Sequence, residues 1–266
     1  MKIAFFTNFE RDVGGEKTRQ LQNFVQRSGH EICEISDNAD VIVVLGGDGT
    51  LLSAVRRGFH DAPMLGINLG RLGYLTDVDF ENAENAFDKV LKNNYTIEHR
   101  MMLDVTILNS TNPPISTLND LVIYRGKNPR PLNYRLRLNG EFMDDFLADG
   151  LIVATPTGST AYNLSAGGPL LAPNSQMMAI TPVSPHCLRS RPTVLPHDSV
   201  ISIAFDASPE ISIACDGEAV FEEDVCNNKN IEFQVKKSSK ITKIIRTNGL
   251  NFYETFRRKI TNAGIS

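Results

Sequence analysis

The feature that most constrains the fold is an apolar run that ends in a glycine-rich turn. Residues 41–45 are five consecutive apolar residues, mostly β-branched, and Gly46-Gly47-Asp48-Gly49-Thr50 follows them directly. Such a run is typical of a strand buried on both faces of a parallel sheet. From Leu51 onward the apolar positions take helical spacing, so the turn joins a strand to a helix. Backbone N–H groups at such a helix start converge on one point, which suits a phosphate.

A carboxylate inside this turn needs a separate explanation, because its charge repels phosphate. Asp48 has three possible roles: it holds a metal, it accepts a proton, or it caps the helix that follows. The common explanations for the glycines do not apply. Residues 14–18 resemble a P-loop but lack its GxxxxGK[ST] spacing, and no GxGxxG follows a strand.

Strand-like and helical patterns alternate through the first hundred residues. The strand-like runs are residues 3–6, 31–35, 41–45 and 64–68, and the helical patterns are 16–28, 51–59 and 81–92. This alternation predicts βαβ units and therefore a parallel sheet. We expect an α/β N-terminal domain at residues 1–98.

A two-residue alternation replaces the helical spacing after about residue 97. Residues 135–142 carry a strand, an Asn139-Gly140 turn and a return strand, the strongest short signal for a hairpin. Many short strands with turns between them predict a β-rich, sandwich-like C-terminal domain, which we expect at residues 99–250. Its later strands are predicted at 200–205, 211–215, 231–235 and 241–245.

Residues 251–266 are predicted to form a short terminal helix. Phe252, Tyr253, Phe256 and Ile260 share one of its faces. An apolar stripe of this kind is expected to dock back on the body of the protein.

Composition excludes several classes of function. The net charge is −4 without a basic stripe, which argues against nucleic acid as a partner. No apolar run approaches the length of a membrane span, and the first residues are too polar for a signal peptide. Cys33, Cys187, Cys215 and Cys226 are scattered without a CxxC pair, so a reducing compartment is expected. We expect a cytoplasmic protein with no membrane contact.

Two further segments carry polar groups suited to binding. Asn119-Asp120 precedes an apolar run, although an Asx turn at a strand start also explains that pair. Residues 149–169 continue a strand into a loop rich in hydroxyls and glycines, where Tyr162 offers a ring that can stack on a base. An elaborate turn of a β-rich domain is the alternative. Ser159 in this loop lacks the GxSxG pattern of a nucleophile elbow.

In this order the segments resemble the NAD kinase family. Residues 46–50 resemble its GGDGT motif, Asn119-Asp120 its Asn-Glu/Asp pair, and 149–169 its DGL…TPTGSTAY…SAGGP segment. Residues 181–186, followed by Arg191-Pro192, resemble a later family stretch. GGDGT alone is also similar to motifs of phosphofructokinases and diacylglycerol-type lipid kinases. The resemblance therefore rests on all four segments in order.

The resemblance implies an α/β domain and a β-rich domain with NAD between them. It also implies transfer of phosphate from ATP to the 2′-hydroxyl of the adenosine ribose of NAD, giving NADP and ADP. A divalent cation, Mg or Mn, is implied as cofactor, and the resemblance does not decide whether polyphosphate replaces ATP. A lipid kinase and a non-catalytic dinucleotide sensor remain the alternatives.

The resemblance also assigns residues to the site. Asp48 is implied as the general base and Gly49 as the position where a side chain would block the ligand. The residues implied for NAD are Asp48, Gly49, Asn119, Asp120, Arg130, Asp149, Thr160, Ala161, Tyr162, Asn163, Leu164 and Ser165. The ATP phosphates are assigned to Gly46, Gly47, Gly49 and Thr50.

Two expectations concern charge and assembly. No lysine lies in the glycine turn, so we expect the metal to neutralise more of the phosphate charge than in a P-loop enzyme. A homodimer or homotetramer is expected from the hairpins and exposed strands of the second domain. Leu147 stands where some relatives have an arginine that reaches a neighbouring subunit, so that contact is not carried over.

Overall fold

A computed structural model describes residues 1–35, 38–76, 78–108, 110–127, 129–206, 211–221, 230–247 and 252–263. It divides the chain into two compact units, Met1–Arg100 with Ile241–Ser266, and Met101–Lys240. The sequence pattern had assigned residues 241–250 to the second domain. They fall in the first unit because their strand pairs in parallel there, with Ile244 opposite Met64.

The first unit is built on a parallel sheet. Its strands are β1 (Lys2–Thr7), β2 (Glu31–Ile32), β3 (Val41–Gly46), β4 (Met64–Asn68) and β5 (Val78–Asp79), and its helices are α1 (Glu16–Arg27), α2 (Asp48–Arg56) and α3 (Ala83–Leu91). The strands lie in the order β2-β1-β3-β4-β5, and every pair is parallel. All six residues of β3 are buried, as the continuous apolar run predicted.

Helix α1 shows how local chemistry defines these elements. Its buried face carries Leu21 and Val25, spaced four residues apart. Before the helix, the buried carboxylate of Asp12 accepts hydrogen bonds from the backbone N–H groups of Lys17 and Thr18 at 3.1 and 2.9 Å. Because these first-turn donors have no partner inside the helix, Asp12 stabilises its start.

The second unit consists mainly of antiparallel strands. They are β6 (Thr96–Ile107), β7 (Ile115–Thr117), β8 (Asp120–Tyr124), β9 (Leu132–Leu138), β10 (Glu141–Ala154), β11 (Met177–Pro185), β12 (Thr193–Pro196), β13 (Ile201–Asp206), β14 (Ser212–Cys215), β15 (Glu218–Ala219) and β16 (Asn230–Arg246). The first residues of β6, up to Arg100, and the last residues of β16, from Ile241, belong to the first unit. Seven of the strands pair in the order β15-β14-β8-β10-β9-β13-β16. The predicted fold class, an α/β domain followed by a β-rich one, is confirmed.

Two strand predictions had different outcomes. The Asn139-Gly140 hairpin joins β9 to β10 as predicted, and both turn residues have positive φ, 53° and 86°. The strands predicted at 231–235 and 241–245 are instead one strand, β16, of 17 residues. Strand pairing uses backbone groups, so the polar residues between the two apolar runs do not interrupt it.

A one-turn helix, α4 (Tyr162–Ser165), lies in the hydroxyl-rich loop, and the last helix of the described residues is α5 (Phe252–Ala263). Its Phe252 ring lies 6.2 Å from the ring of Tyr74 and 6.3 Å from that of Phe256. The side chain of Ile260, predicted on the same stripe, lies outside the described residues. Of the helices in the described part of the chain, none has the length and hydropathy needed to cross a membrane.

Candidate active site

The glycine turn joins β3 to α2, and its glycines serve different purposes. A Cβ atom on Gly46 would lie 2.1 Å from the hydroxyl oxygen of Thr50, so only glycine allows this turn to close. The Thr50 hydroxyl accepts the backbone N–H of Gly47 at 3.3 Å. A Cβ atom on Gly49 would meet no atom within 4 Å. Gly46 and Thr50 therefore shape the turn, whereas Gly49 leaves space beside Asp48.

The Asp48 carboxylate is held by the loop that follows β4. Its Oδ2 accepts the backbone N–H of Tyr74 at 2.7 Å. Its Oδ1 accepts the backbone N–H groups of Leu75 and Thr76 at 2.9 and 3.0 Å, and the Thr76 hydroxyl at 3.0 Å. These four bonds go to a separate loop and not to the helix that Asp48 begins. Of its three possible roles, capping the helix with the side chain is the one that the structure does not support.

Gly73 makes this arrangement possible. A Cβ atom there would lie 1.9 Å from Asp48 Oδ1 and 2.5 Å from the Thr76 hydroxyl oxygen. The same loop is held at its start by Asn68, whose Oδ1 accepts the N–H of Gly70 at 2.6 Å and whose Nδ2 donates to the Thr76 hydroxyl at 3.1 Å. The loop is therefore a preformed cradle for one carboxylate.

A cavity of about 1120 Å³ opens beside this carboxylate, within the first unit. Gly47, Asp48, Gly49 and Thr50 line it together with the loop after β4. Its charged lining is mostly positive: Arg11, Arg71, Arg258 and Lys259 contribute to it. The sequence reasoning missed all four, which come from three distant segments. Only Arg71 carried a signal, because the glycines at 70 and 73 flank it just after a buried strand.

Lys259 lies nearest to the carboxylate. Its Nζ is 3.7 Å from Asp48 Oδ2 and 4.0 Å from the centre of the Tyr74 ring. Both charged side chains are nearly a third exposed, and a partly exposed pair at this distance contributes little to stability. Burial, and then the charge of Asp48, raises the pKa of the Tyr74 hydroxyl, so this tyrosine stays neutral.

In the second unit, two predicted segments lie against each other. The Thr155 hydroxyl donates to the carbonyl of Leu118 at 2.6 Å, and its backbone N–H donates to the carbonyl of Asn119 at 2.8 Å. A Cβ atom on Gly158 would lie 2.1 Å from the same Asn119 carbonyl, so the hydroxyl-rich loop packs directly on the Asn119-Asp120 pair.

Asp120 is almost fully buried at the start of β8, with 4% of its surface exposed. Two causes raise the pKa of Asp120 to about 7: burial, which is the larger, and the nearby carboxylate of Asp216. A carboxyl group of this kind changes charge near neutral pH. Perturbed groups of this kind are enriched at functional sites.

Asn163, which the resemblance assigns to the dinucleotide, makes its side-chain contacts inside the protein. Its side chain is fully buried, donates to the carbonyls of Ser159 and Pro169 at 3.3 and 3.0 Å, and accepts the Thr181 hydroxyl at 2.7 Å. A Cβ atom on Gly168 would lie 2.1 Å from its Oδ1. Asn163 has no surface left for a ligand, so it supports the loop from within.

The remaining predicted residues keep accessible surface. Tyr162 and Ser165 are exposed, and the three residues that stay half-buried are Thr160, Ala161 and Leu164. Asp149 forms an ion pair with Arg125, 2.8 Å from Oδ1 to Nε, a partner that the sequence reasoning missed. Arg130 is exposed in the segment before β9. Among the described residues, no three His, Cys, Asp or Glu side chains are grouped closely enough to hold a metal.

Comparison with known families and relatives agrees with these features. The model of the ATP-NAD kinase N-terminal domain matches residues 4–95, and that of the C-terminal domain matches residues 118–247. The NAD kinase of Acetivibrio thermocellus is 37% identical over 291 aligned positions, covering 100% of this chain and 99% of the relative. That of Caldanaerobacter subterraneus subsp. tengcongensis is 38% identical, covering 98% and 99%.

Solved structures show the same architecture. An NAD kinase from Archaeoglobus fulgidus in complex with ATP has a TM-score of 0.79 at 25% identity, covering 98% of both chains. Yeast NADH kinase complexed with NADH has a TM-score of 0.84 at 24% identity, covering 98% of this chain and 87% of that one, and it supports the fold alone.

The fold, the cationic cavity and the cradled carboxylate define a nucleotide-dependent phosphotransferase. The chain belongs to the ATP-NAD kinase family. The family predicted from the four sequence segments is therefore confirmed, as is the prediction that the chain is an enzyme of this kind.

Proposed function

We propose that the chain transfers a phosphoryl group from ATP to the 2′-hydroxyl of the adenosine ribose of NAD, and that Asp48 is the catalytic residue. The observation that carries this proposal is a carboxylate, held by four hydrogen bonds, at the edge of a cavity lined by four cationic side chains. The ATP complex of the Archaeoglobus fulgidus NAD kinase supports ATP as the donor, and the curated NAD kinase relatives support NAD as the acceptor.

The cationic cavity is the proposed site of the donor phosphates. Arg11, Arg71, Arg258 and Lys259 offer positive charge to a triphosphate, and guanidinium groups bind phosphate oxygens in pairs. The N-terminus of α2, to which Gly47 and Gly49 belong, adds the favourable end of a helix dipole. Protein side chains therefore supply charge that the sequence reasoning had left to the metal. The same chemistry would accept polyphosphate.

A divalent metal fits this site only if it arrives with the nucleotide. Asp48 is the only carboxylate among the described residues that line the cavity. Magnesium at nucleotide sites is commonly held by one or two carboxylates together with substrate phosphates and waters. Asp48 Oδ1 accepts three donors, whereas Oδ2 accepts one backbone N–H and lies 3.7 Å from Lys259 Nζ, so Oδ2 is the oxygen that would hold a metal. When bound, the metal neutralises charge on the transferring phosphate.

Asp48 acts on the acceptor hydroxyl. A ribose hydroxyl does not ionise at neutral pH, but a carboxylate can take its proton late, as the new P–O bond forms. Such general-base help is worth roughly 10²–10⁴-fold in rate. The hydrogen bonds from the loop after β4 fix the direction of the carboxylate, which is the positioning that phosphoryl transfer requires.

The residues proposed to contact the dinucleotide are taken from those that the resemblance assigns. They are Gly49, Asn119, Asp120, Arg130, Asp149, Thr160, Ala161, Tyr162, Leu164 and Ser165. Asn163 is left out because it is buried within the loop. Tyr162, with 42% of its surface exposed, is suited to stacking on a base.

The test replaces Asp48 by asparagine. We expect the turnover number for NADP formation, measured with a coupled dehydrogenase, to fall by roughly 10²–10⁴-fold. The dissociation constant for NAD, measured by calorimetry, should change far less. Thr76→Val is the matched control, because it removes one donor to Asp48 Oδ1 and leaves the charge in place.

Near-normal NADP production by Asp48→Asn would show that the assigned role is wrong. If the wild-type protein binds NAD but forms no NADP with ATP and magnesium, a dinucleotide sensor is the better description. Radiolabel from ATP appearing in lipid vesicles instead of NAD would favour the lipid kinase. Running ATP and polyphosphate side by side identifies the donor.

We also propose a reducing cytoplasmic setting and a homo-oligomer. Cys33, Cys187 and Cys215 are free thiols, and Cys226 lies outside the described residues. Leu147 and Leu188 are exposed, with 45% and 88% of their surface accessible, which is compatible with an apolar contact between copies. Sedimentation of the purified protein tests the oligomeric state.

A further inference from the structure

Asp216 was not assigned to any role by the sequence reasoning, although it lies beside the Asn119-Asp120 pair. It follows β14 in the tight turn to β15, where both Asp216 and Gly217 have positive φ, 50° and 79°. Aspartate tolerates this conformation better than most residues. Only 7% of its surface is exposed, so its carboxylate needs partners inside the protein.

Those partners are four consecutive residues of one segment. Oδ1 of Asp216 accepts the backbone N–H groups of Asn119 at 2.6 Å and Asp120 at 3.4 Å, and the Thr117 hydroxyl at 2.5 Å. Oδ2 accepts the backbone N–H of Leu118 at 2.9 Å. In return, the backbone N–H of Asp216 donates to the carbonyl of Asp120 at 3.1 Å.

A buried carboxylate with this many bonds to one short segment determines where that segment lies. Hydrogen bonds to a charged group are stronger than those between neutral groups, and their geometry is directional. The Asn119 carbonyl is at the same time held by the N–H of Thr155. The Asn119-Asp120 pair is therefore clamped from two sides, by Asp216 and by the hydroxyl-rich loop.

We propose that Asp216 is a positioning residue for the dinucleotide, which orients Asn119 and Asp120 and controls the charge of Asp120 through its own. This rests on the proposed function, in which both of those residues contact NAD. Asp216 itself need not touch the substrate. Its effect reaches the ligand through the segment that it holds.

The electrostatics of Asp120 support the second half of the proposal. The titratable groups that interact electrostatically with Asp120 are Asp216 and the thiol of Cys215. Burial and the charge of Asp216 raise the pKa of Asp120 to about 7. Burial, followed by the charges of Asp216 and Asp120, also raises the pKa of the Cys215 thiol, so that group stays neutral.

The protonation state of the Asp120 carboxyl group decides which groups it can bind. A carboxylate only accepts hydrogen bonds, whereas the protonated acid also donates. The ribose hydroxyls and the adenine amino group of NAD are donors, so the charged form of Asp120 is the one that binds them. NAD should therefore bind better as the pH rises through about 7.

The experiment compares three variants of the full-length protein. Asp216→Asn keeps the shape, but it removes the charge and places an amide donor or a weaker acceptor against the segment. Thr117→Val removes a hydroxyl that contacts both Asp216 and, at 3.0 Å, the carbonyl of Asp120, and it leaves both carboxyl groups unchanged. Asp104→Asn is the matched control, because Asp104 accepts the hydroxyl of Ser116 at 2.7 Å on the neighbouring strand pair without contacting Asp216.

The measured quantities are kcat and KM for NAD and for ATP, from about pH 5.5 to about pH 8.5. Asp216→Asn is expected to raise KM for NAD by roughly tenfold or more, and to move the pH break in kcat/KM for NAD to lower pH. KM for ATP should stay within about twofold of the wild type. Thr117→Val should raise KM for NAD by roughly threefold with the pH break in place. Asp104→Asn should change neither quantity.

A merely structural role for Asp216 would lower the melting temperature but leave the pH break of the surviving activity where it is, and that result overturns the proposal. Wild-type values of KM for NAD in Asp216→Asn would overturn it too. If Asp216→Asn does not fold, Thr117→Val decides, and an unchanged KM for NAD in that variant counts against positioning. Absence of NADP formation by the wild type would instead refute the proposed function.

Discussion

Replacing Gly73 by alanine tests how the Asp48 carboxylate is held. Gly73 is not among the residues with positive φ, so alanine is compatible with its backbone. The added Cβ atom would lie 1.9 Å from Asp48 Oδ1, whereas real Cβ atoms almost never come closer than 3.0 Å. The carboxylate therefore has to withdraw by about 1 Å or more, unless the loop moves instead.

The loss in free energy of unfolding follows from the hydrogen bonds that this movement breaks. Oδ1 accepts three donors at 2.9–3.0 Å, and a shift of about 1 Å takes them beyond hydrogen-bond range. A bond to a charged group contributes about 1.5–3 kcal/mol and overpacking costs about 1–3 kcal/mol, and these values do not add fully. We expect a loss of about 3–5 kcal/mol, or roughly 10 °C in melting temperature.

Activity should fall with stability in this variant. A misplacement of about 1 Å costs on the order of 10²-fold in rate when the displaced group takes part in the chemistry. The assay is kcat for NADP formation at a temperature where circular dichroism shows the variant to be folded. Thermal melting is recorded in parallel.

Gly49→Ala is the matched control for this experiment. Its Cβ atom would meet no protein atom within 4 Å, and alanine favours a helix start over glycine by about 0.5–1 kcal/mol. Melting temperature should hold or rise slightly while activity falls, because the methyl group occupies space that we assign to the ligand. A Gly73→Ala protein with wild-type kcat and melting temperature would refute this account of the cradle.

Three further predictions concern charge. Lys259→Met should raise KM for ATP by roughly tenfold with little change in melting temperature, since its pair with Asp48 is long and partly exposed. The control is Lys243→Met, whose Nζ donates to the carbonyl of Asp61 at 3.0 Å, and an equal KM in both variants would count against the phosphate site. Because burial raises the pKa of Asp120 from 3.8 to about 7, its contribution to stability is present at low pH and is lost as the pH rises through about 7. Asp120→Asn should therefore be more stable than the wild type by about 4 kcal/mol at about pH 8 and by about 2 kcal/mol at about pH 5, and an equal difference in stability at both pH values would contradict this. A chelator should abolish NADP formation without lowering the melting temperature, since the described residues contain no preformed metal cluster, and a lower melting temperature would indicate a resident metal.

The sequence alone determined the class of fold and the family. A run of five apolar residues is buried in β3 because a strand covered on both faces needs apolar side chains at every position. The Asn139-Gly140 turn formed its hairpin because both residues tolerate positive φ. These are local properties, which neighbouring residues express without help from the rest of the chain. The spacing of the motif segments was likewise readable directly from the chain.

Only the tertiary structure decided how the site is held. Asp48 is bound by residues 26–28 positions later, and Asp216 binds Asn119 from 97 positions away. Arg11, Arg71, Arg258 and Lys259 come together in one cavity from three distant segments. Neither hydrophobic periodicity nor turn chemistry carries information over such separations, because contacts between distant residues depend on how whole elements pack.

The same reason explains why Asn163 was assigned to the ligand. Its neighbours in the hydroxyl-rich loop include exposed residues, and the sequence does not distinguish an outward amide from one that bonds the loop to itself. Burial makes that distinction: Asn163 is fully enclosed while Tyr162 beside it is 42% exposed. The chain could thus be assigned to a family from its order of motifs, whereas packing decided whether each polar side chain points outward or bonds within the protein.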